Sequence, residues 1–407
     1  MRGRLQGGRR AALQTDRVST GEKENPVLDY FNQHGVSGKP DAKTISLAWP
    51  NYFYFGKEGK LLGGKEAEGD AELSRMLDTF EMTGDLDADL IPEESLLQYM
   101  VRMGTPTRVL DMADAIFAND YGNEASKIGL REVAHEQDRW HHGEDYLVWD
   151  GCTWTDILTD MAQGLDVRTS WRAAEVVHGG PCGRCRVVRD TGEAIQADRV
   201  IVTLPLNVLR DGDVQFKPPL PREKTAAAGV VTQSNCVKVI LRLNDRFWPE
   251  DCWDVVCADS FMPEVWLTPA AAVLKGSPMS EYYMVGFVAG DRATRIMQLP
   301  EAEIARKMCL QLDAMFGSVN KPAPASAACT GFIVQDWSTE ALAKGAYSHP
   351  SLGAHGMRSA LSTPVGALFF AGEATQEDIN PCVQGAMETG MRAAAQVRES
   401  FQPRAKL

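Results

Sequence analysis

The spacing of apolar residues divides the chain into strand-like and helix-like stretches. Residues 43–62 alternate apolar and polar positions and include the aromatic run Tyr52–Phe55, which predicts two short strands. From about residue 65 to residue 145 apolar positions recur every three or four residues, a period typical of amphipathic helices. Pro92 is a favourable first-turn residue for the helix expected over 95–103. The pattern predicts two further helices, over 109–117 and 154–161.

Beyond Val167 the pattern changes to that of strands separated by Gly-rich turns. The run Arg199–Thr203 is apolar at its centre, as expected of a strand buried on both faces of a sheet. Further predicted strands cover 176–177, 185–188, 194–197, 238–243 and 367–372, and further predicted helices cover 301–316 and 384–401. Because strands and helices interleave, the predicted fold class is α/β, with an α+β part.

Length and composition narrow the class of protein. The 407 residues predict two or three domains, and 44% apolar with 24% charged residues argues for a folded globular chain. The formal net charge of −13 argues against nucleic acid as a partner, because an acidic chain repels phosphates. No run of 18 apolar residues is present, so no membrane-spanning helix is predicted.

Much of the negative charge lies in one segment, Glu66–Glu94, where Arg75 is the single basic residue. The favoured interpretation is a solvated surface with acids at helix N-termini, and the alternative is steering of a cationic substrate. A calcium loop within this segment is excluded. The required glycine is absent, and Leu96 stands where a bidentate Glu belongs.

The nine cysteines form no recognisable framework. An odd number in a long chain predicts a reduced, intracellular and cytoplasmic protein, although the Arg-rich, acid-free first fifteen residues leave organelle targeting open. Cys182 and Cys185 form a lone CxxC, which predicts the tip of a hairpin rather than a zinc site. His135-Glu136 lacks the second histidine of a zincin helix because Arg139 stands there, so no metal site is predicted.

One unit near the C-terminus has the form expected of a dinucleotide site. The predicted strand 367–372 ends in Gly372, and a loop then leads into the last helix. Glycine allows a close approach by a ligand, and a helix N-terminus presents unpaired N–H groups to an electron-rich partner. An ordinary strand-to-helix corner is the alternative.

Five segments, in order, resemble the flavin-containing amine oxidases. They are 199–209, 216–224, 235–248, 337–348 and 368–386, and the last contains LFFAGE and a following Gly-Ala. That family includes monoamine oxidases, polyamine oxidases and lysine-specific histone demethylases.

The resemblance implies an FAD/NAD(P)-binding Rossmann-like domain and a substrate domain of mixed sheet plus helices. The FAD-binding parts are expected at 1–43, 150–210 and 341–407, and the substrate-domain parts at 44–149 and 211–340. The implied reaction is hydride transfer from the carbon next to an amine to N5 of FAD, with dioxygen reduced to hydrogen peroxide. The implied substrate is polyamine-like or a small primary or secondary amine. No oligomeric state is predicted.

Three residues match catalytic positions of the family. Lys238 matches the lysine that holds a water against flavin N5, and the alternative is a strand-end lysine that reaches solvent. Tyr347 matches one wall of an aromatic cage, and the alternative is an ordinary half-buried aromatic residue. Cys382 stands at the opposite wall, which is aromatic in monoamine oxidases, so the resemblance implies a half cage.

Seven further residues match positions that bind the cofactor in the family. They are Gly8 and Arg9 at a GGR-like turn, Ala173 beside the adenine, Trp337 near the flavin, Gly372 and Glu373 at the ribityl and pyrophosphate turn, and Val383 at the pyrimidine edge. Leu342 replaces a second aromatic residue found in many members.

The sequence departs from the family at its start, where no GxGxxG is present. Asn25-Pro26-Val27 resembles the element that follows the GGR turn, so the chain is expected to lack the first βαβ unit. Three interpretations stay open: an incomplete amine oxidase sequence, a short non-catalytic binding partner, or an enzyme whose N-terminal unit is rearranged or supplied separately. Within flavoenzymes, an L-amino-acid oxidase or an FAD-linked desaturase is the alternative activity.

Overall fold

The computed structural model describes residues 17–18, 25–47, 53–140, 145–180, 183–252, 254–267, 282–378 and 382–401. The chain divides into two compact units. In the described part, the first unit takes Leu47–Asp138 and Gln233–Leu352. The second takes the residues up to Ser46, Arg139–Thr232 and the residues from Gly353 onward.

Strands and helices interleave along the described chain. The strands are β1 (Arg17–Val18), β2 (Lys43–Leu47), β3 (Phe53–Phe55), β4 (Leu61–Leu62), β5 (Asp145–Asp150), β6 (Ala173–Val177), β7 (Cys185–Arg189), β8 (Ala194–Ala197), β9 (Val200–Val202), β10 (Gln215–Lys217), β11 (Cys236–Leu243), β12 (Asp254–Cys257), β13 (Glu264–Leu267), β14 (Tyr282–Ala289), β15 (Cys329–Asp336) and β16 (Leu368–Phe370). The helices are α1 (Pro26–His34), α2 (Lys65–Glu68), α3 (Ala71–Glu81), α4 (Leu96–Arg102), α5 (Thr107–Ala113), α6 (Leu130–Arg139), α7 (Trp154–Met161), α8 (Leu206–Arg210), α9 (Arg222–Val230), α10 (Gly290–Ile296), α11 (Glu301–Phe316), α12 (Pro324–Ala328), α13 (Met357–Ser362) and α14 (Val383–Glu399). None of these helices has both the length and the apolar character needed to cross a membrane.

The first unit is built on a seven-stranded mixed sheet with the order β15-β11-β14-β13-β12-β3-β4. Neighbouring strands are antiparallel except β12 and β3, which are parallel. Val237, Val239 and Leu241 of β11 pack into one core with Met308 and Leu312 of α11. Successive strand residues point to opposite faces, so Lys238 lies on the other face of the sheet.

Helices α3 to α6 enclose a second core in the first unit. Every residue of the predicted apolar face over 109–117 is buried, namely Val109, Met112, Ala113, Ile116 and Phe117. The helix was predicted to be regular, but after α5 it continues as a π-helical turn over Asp114–Ala118. Pro92 is not in the first turn of α4 as predicted, because Ser95 caps that helix through a reciprocal bond with Gln98.

The second unit contains three sheets among its described residues, with the orders β1-β5-β2, β10-β6-β7-β8 and β16-β9. Asn25 caps α1 by accepting from the N–H of Val27, and Pro26 is the first helical residue. The prediction that 199–203 is buried on both faces is wrong, because Ile201 of β9 is 40% exposed. β16 fits that description, since all three of its residues are buried.

Three of the four boundaries between the units fall later in the chain than the domain boundaries expected from sequence, and the fourth falls earlier, between Asp138 and Arg139. β10 pairs in parallel with β6, and α9 packs on α13, so residues 211–232 stay with the second unit. Gln233 and Ser348 form an isolated antiparallel β-bridge, and the segment up to Leu352 belongs to the first unit. The assignment of one unit to FAD and the other to the substrate stays a prediction.

Candidate functional site

Lys238 lies on β11, which is between β15 and β14 in the first unit's sheet. It is directly opposite Phe287 of β14. Its Nζ is 5.1 Å from the centroid of the Trp266 ring and 5.9 Å from that of Phe287. Burial lowers the pKa of Lys238, and negative charge acts in the opposite direction, from the Cys236 thiol when that thiol is ionised and from Glu264. The ammonium group therefore lies against aromatic faces in a partly desolvated position.

Tyr347 joins the same group of side chains. Its ring packs against a cluster formed by Cys236, Phe287 and Ala289, and its hydroxyl donates to the Asp120 carbonyl at 2.8 Å. Gly122 allows this approach, because a Cβ there would lie 2.7 Å from Cε2 of the Tyr347 ring. The tyrosine is therefore held at both its ring and its hydroxyl.

Trp337 follows β15, whose last residue, Asp336, is opposite Val237. The Gly345 N–H donates to the Trp337 carbonyl at 3.0 Å, and the Ala346 N–H donates to the Ser234 carbonyl at 2.9 Å. These bonds attach the loop that carries Tyr347 to Trp337 and to the segment just before β11. Trp337 is 39% exposed, so part of this residue is accessible from solvent.

Gly372 lies two residues after the end of β16 in the second unit. Its φ of +119° and ψ of 160° are accessible to glycine and strained for other residues. No atom of the described residues lies within 4 Å of the position that a Cβ would occupy. The Gly372 N–H donates to Thr389 Oγ1 of α14 at 2.9 Å, and Glu373 begins the short helical turn that follows. The turn is therefore anchored on one side and open on the other.

Cys382 is the N-cap residue of α14, and its side chain makes no capping bond to the helix. It is buried against Trp140, whereas the next residue, Val383, is 43% exposed. Gln384 is only 1% exposed, and its Oε1 has no hydrogen-bond partner in the described part of the chain. This helix start could hold an electron-rich group through its N–H groups.

The remaining predicted site residues have few described contacts or lie outside the described part of the chain. Ala173 is the first residue of β6, half-buried and opposite Arg189. Gly8 and Arg9 lie outside the described residues, as does Cys182 of the CxxC pair. Cys185 is buried at the start of β7, which is antiparallel to β6. Among the described residues, no group of three or more acids, histidines or cysteines is placed to hold a metal ion.

The predicted residues thus fall into two sets. Lys238, Tyr347 and Trp337 belong to the first unit, and Ala173, Gly372, Glu373, Cys382 and Val383 belong to the second. Sequence reasoning missed the side chains that surround Lys238, namely Trp266, Phe287, Glu264 and Asn119. One signal was present, because Glu264 is an acid at the start of the otherwise apolar run 264–267.

The acidic segment Glu66–Glu94 is partly neutralised by the first unit's own cations. Arg108 pairs with Glu58, Asp70 and Glu72, and Arg102 pairs with Glu94. This supports the interpretation as a solvated surface, and steering of a cationic substrate stays a prediction.

Comparison with known proteins identifies a family. The family model of flavin containing amine oxidoreductases matches residues 9–398. The chain is 29% identical over 244 residues to "Polyamine oxidase 2" of Arabidopsis thaliana, covering 60% of this chain and 47% of that protein. It is 27% identical over 286 residues to "Lysine-specific histone demethylase 1 homolog 2" of the same plant, covering 68% of this chain and 37% of that protein. The chain therefore spans about half, or less, of the length of these curated relatives.

Solved structures show the same fold. "Cyclohexylamine Oxidase from Brevibacterium oxydans IH-35A" matches with a TM-score of 0.75 at 16% identity, covering 95% of this chain and 87% of that one. Wild-type putrescine oxidase bound to putrescine matches with a TM-score of 0.73 at 19% identity, covering 94% and 87%. The predicted fold class, α/β with a mixed sheet, is confirmed.

Proposed function

The chain belongs to the flavin-containing amine oxidoreductase family, and from that premise we propose that it oxidises a polyamine or another small primary or secondary amine. The predicted cofactor, FAD, is confirmed at the level of the family, whose members contain flavin. The observation that carries the proposal is Lys238, whose ammonium lies over Trp266 in the same side-chain cluster as Tyr347.

The residues of each unit fit a flavin nucleotide. In the second unit, Gly372 leaves open the space that a Cβ would fill. The start of α14 lacks a side-chain cap and contains the unpartnered, buried Oε1 of Gln384. In the first unit, Trp337 is partly exposed. We therefore propose Gly372, Glu373 and Val383 as residues that bind the cofactor, and Trp337 stays a proposed cofactor-contacting residue.

A bound flavin supplies the chemistry, which is two-electron oxidation of the carbon next to the amine nitrogen, with dioxygen as the final acceptor and peroxide as the product. Lys238 is proposed to hold a water by donating from its ammonium. Tyr347 is proposed to orient the amine with its ring face, which attracts a cation, and its hydroxyl is already committed to Asp120. Cys382 is proposed as the small residue at the second cage position that the family resemblance implies. Adenine contact by Ala173 and the GGR-like turn at Gly8 and Arg9 also stay proposals.

The test begins with the 407-residue chain purified in the presence of FAD. We expect a flavin absorption spectrum that is retained through gel filtration, bleaching of that spectrum by an amine without oxygen, and peroxide release in air. Putrescine, spermidine, spermine and benzylamine form the substrate panel, with an L-amino acid and a methyl-lysine peptide as comparison substrates. Retained flavin that no amine bleaches would sink the activity, and a chain without flavin would favour the non-catalytic binding partner.

Lys238→Met tests the residue that carries the proposal. We expect flavin reoxidation by dioxygen to slow by about tenfold or more, because the water loses its donor. Lys307→Met is the matched control, since Lys307 also lies over an aromatic ring, 5.7 Å from the centroid of Phe261. Equal reoxidation rates in the two variants would contradict the role of Lys238.

A further inference from the structure

Glu264 is a carboxylate in the interior of the first unit that the proposed chemistry leaves without a role. It is 0% exposed and begins β13. A buried carboxylate is strongly unfavourable unless hydrogen bonds and charges compensate for its lost hydration. The partners of Glu264 therefore indicate what it does.

Side-chain donors reach both oxygens of the carboxylate. Trp266 Nε1 donates to Glu264 Oε1 at 2.9 Å, and Asn119 Nδ2 donates to Oε2 at 3.2 Å. The Asn119 amide is itself oriented, because its Oδ1 accepts from the Ala289 N–H at 3.0 Å. A carboxylate, which has only acceptors, matches these two donors. Glu264 thereby fixes the plane of the Trp266 indole.

The register of the sheet connects Glu264 to Lys238. Phe287 of β14 is directly opposite Lys238 on one side and Glu264 on the other, so the three side chains lie on one face of the sheet. Trp266 stacks on Phe287 with ring centroids 5.1 Å apart and planes 21° apart. The indole held by Glu264 is the ring that lies 5.1 Å from Lys238 Nζ.

We propose that Glu264 is a positioning residue for Lys238: it holds the Trp266 indole against the ammonium and places a carboxylate on the same face of the sheet. The proposal rests on the proposed function for the role of Lys238 in catalysis. A hydrogen bond from the indole N–H to a carboxylate also makes the ring face richer in electrons, which strengthens its attraction for a cation.

Few other charges face Lys238. Burial raises the pKa of the Cys236 thiol to about 12, so that thiol is neutral near neutral pH and lends no charge. Gln335 is the residue opposite Lys238 on β15, and the neighbouring Asp336 accepts from the N–H and hydroxyl of Ser338. The charged residues of α10 form their own ion pairs, Asp291 with Lys127, Arg292 with Asp114 and Arg295 with Glu124. α11 packs against the opposite face of the sheet. Among the described residues that face Lys238, Glu264 is the charge that favours the ammonium.

The experiment compares Glu264→Gln with the wild-type full-length chain. Lysine side chains are labelled with ¹³C at Cε, and the Lys238 resonance is assigned as the one lost in Lys238→Met. The titration of that resonance is followed without flavin or substrate. We expect Lys238 to lose its proton at lower pH in Glu264→Gln, because burial still lowers its pKa and the opposing charge is gone.

In the FAD-loaded enzyme the reoxidation rate should fall by about threefold or more, with its pH profile displaced in the same direction. The KM for the amine should not change, because Glu264 does not touch the substrate. An unchanged Lys238 titration in a folded Glu264→Gln chain overturns the proposal. A displaced titration without any amine oxidation supports it, while the proposed function fails on its own account.

Trp266→Phe is the second variant, and it also decides the question if Glu264→Gln does not fold. Phenylalanine keeps a ring beneath the ammonium and leaves the carboxylate charge, but it removes the N–H donor. We expect a smaller displacement of the Lys238 titration in the same direction, and its absence would overturn the proposal.

Discussion

Gly122 in the first unit and Gly372 in the second both have positive φ angles, +88° and +119°, but their surroundings differ. A Cβ at Gly122 would lie 2.7 Å from Cε2 of the Tyr347 ring, whereas a Cβ placed at Gly372 would have no atom of the described chain within 4 Å. The first glycine therefore makes room for a side chain of the same chain. Gly372 leaves the corresponding space unfilled by the described residues.

The difference extends to the polar groups around each glycine. Near Gly122, the Tyr347 hydroxyl donates to a main-chain carbonyl, and Ser234 Oγ donates to the Gly122 carbonyl. Near Gly372, the first turn of α14 carries the buried Gln384 Oε1 without a described partner. A site that is filled by its own side chains fixes reactive groups before a ligand arrives. A site that stays open can accept a nucleotide.

Gly122→Ala should have the largest effect on stability. The new methyl group forces the Tyr347 ring to move, and alanine is strained at this φ angle. Overpacking and strain together predict a loss of about 3 kcal/mol in the free energy of unfolding, measured by urea denaturation. The KM for an amine should rise because the ring is displaced.

Gly104→Ala is the matched control for this prediction. Gly104 has a φ of +77°, and a Cβ there would meet only the end of the flexible Arg75 side chain, at 2.9 Å. The free energy of unfolding of Gly104→Ala should fall by about 1–2 kcal/mol, from backbone strain alone. If both alanine variants lose the same stability, the contact between Gly122 and Tyr347 is not what requires glycine.

Gly372→Ala should have a smaller effect on stability and a larger one on cofactor retention. Backbone strain predicts a loss of about 2 kcal/mol, and the open space adds no clash within the chain. The methyl group would enter the space proposed for the flavin nucleotide, so we expect less flavin to remain bound after gel filtration.

Gly366→Ala separates strain from cofactor contact. Gly366 has a φ of +60°, lies in the same unit and also has nothing within 4 Å of a Cβ. It should lose about 1 kcal/mol of stability and retain flavin normally. Equal flavin loss in both variants would show that Gly372 has no special relation to the cofactor.

The open site was easier to predict from sequence than the filled one. Gly372 and the start of α14 lie close together along the chain, and a strand, a glycine and a helix form a local pattern. Exposure also followed local pattern where packing was simple, as in the apolar face over 109–117. The prediction of burial failed at Ile201, because burial of a strand depends on the elements that cover it and not on its own composition.

The filled site depends on contacts between residues far apart in the chain. Lys238 and Tyr347 were predicted because each matches a family motif. The Asn119–Glu264–Trp266 network has no motif, since it forms only when β11, β14 and β13 pair in one register. The Asn119 side chain comes from the π-helical end of another element, which the apolar pattern did not predict. Sheet register is therefore the information that the sequence pattern lacked.

The last prediction concerns Lys224, a buried lysine of the second unit, and has the smallest expected effect. It tests whether this interior is closed to water and its polar groups are hydrogen-bonded, as they are around Tyr347 in the first unit. The residue is 2% exposed, its Nζ donates to the Ala360 and Leu361 carbonyls at 2.8 and 2.6 Å, and it lies 3.7 Å from the centroid of the Phe370 ring. Burial, helped by the charge of Arg392, lowers the pKa of Lys224 from 10.5 to about 8.

Between these two pKa values the unfolded chain binds more protons at Lys224 than the folded chain does, so this residue makes stability rise with pH across that window. Below the folded-state pKa both states are protonated, and the contribution no longer changes. A neutral amine can still donate to both carbonyls, so deprotonation removes a buried charge without breaking either bond. Relative to Lys224→Met, the wild-type free energy of unfolding should increase by about 1 kcal/mol between about pH 7.5 and about pH 9. Urea denaturation of both chains at the two pH values measures this. Parallel pH dependence would mean that Lys224 keeps its ordinary pKa, and that this interior is hydrated rather than closed.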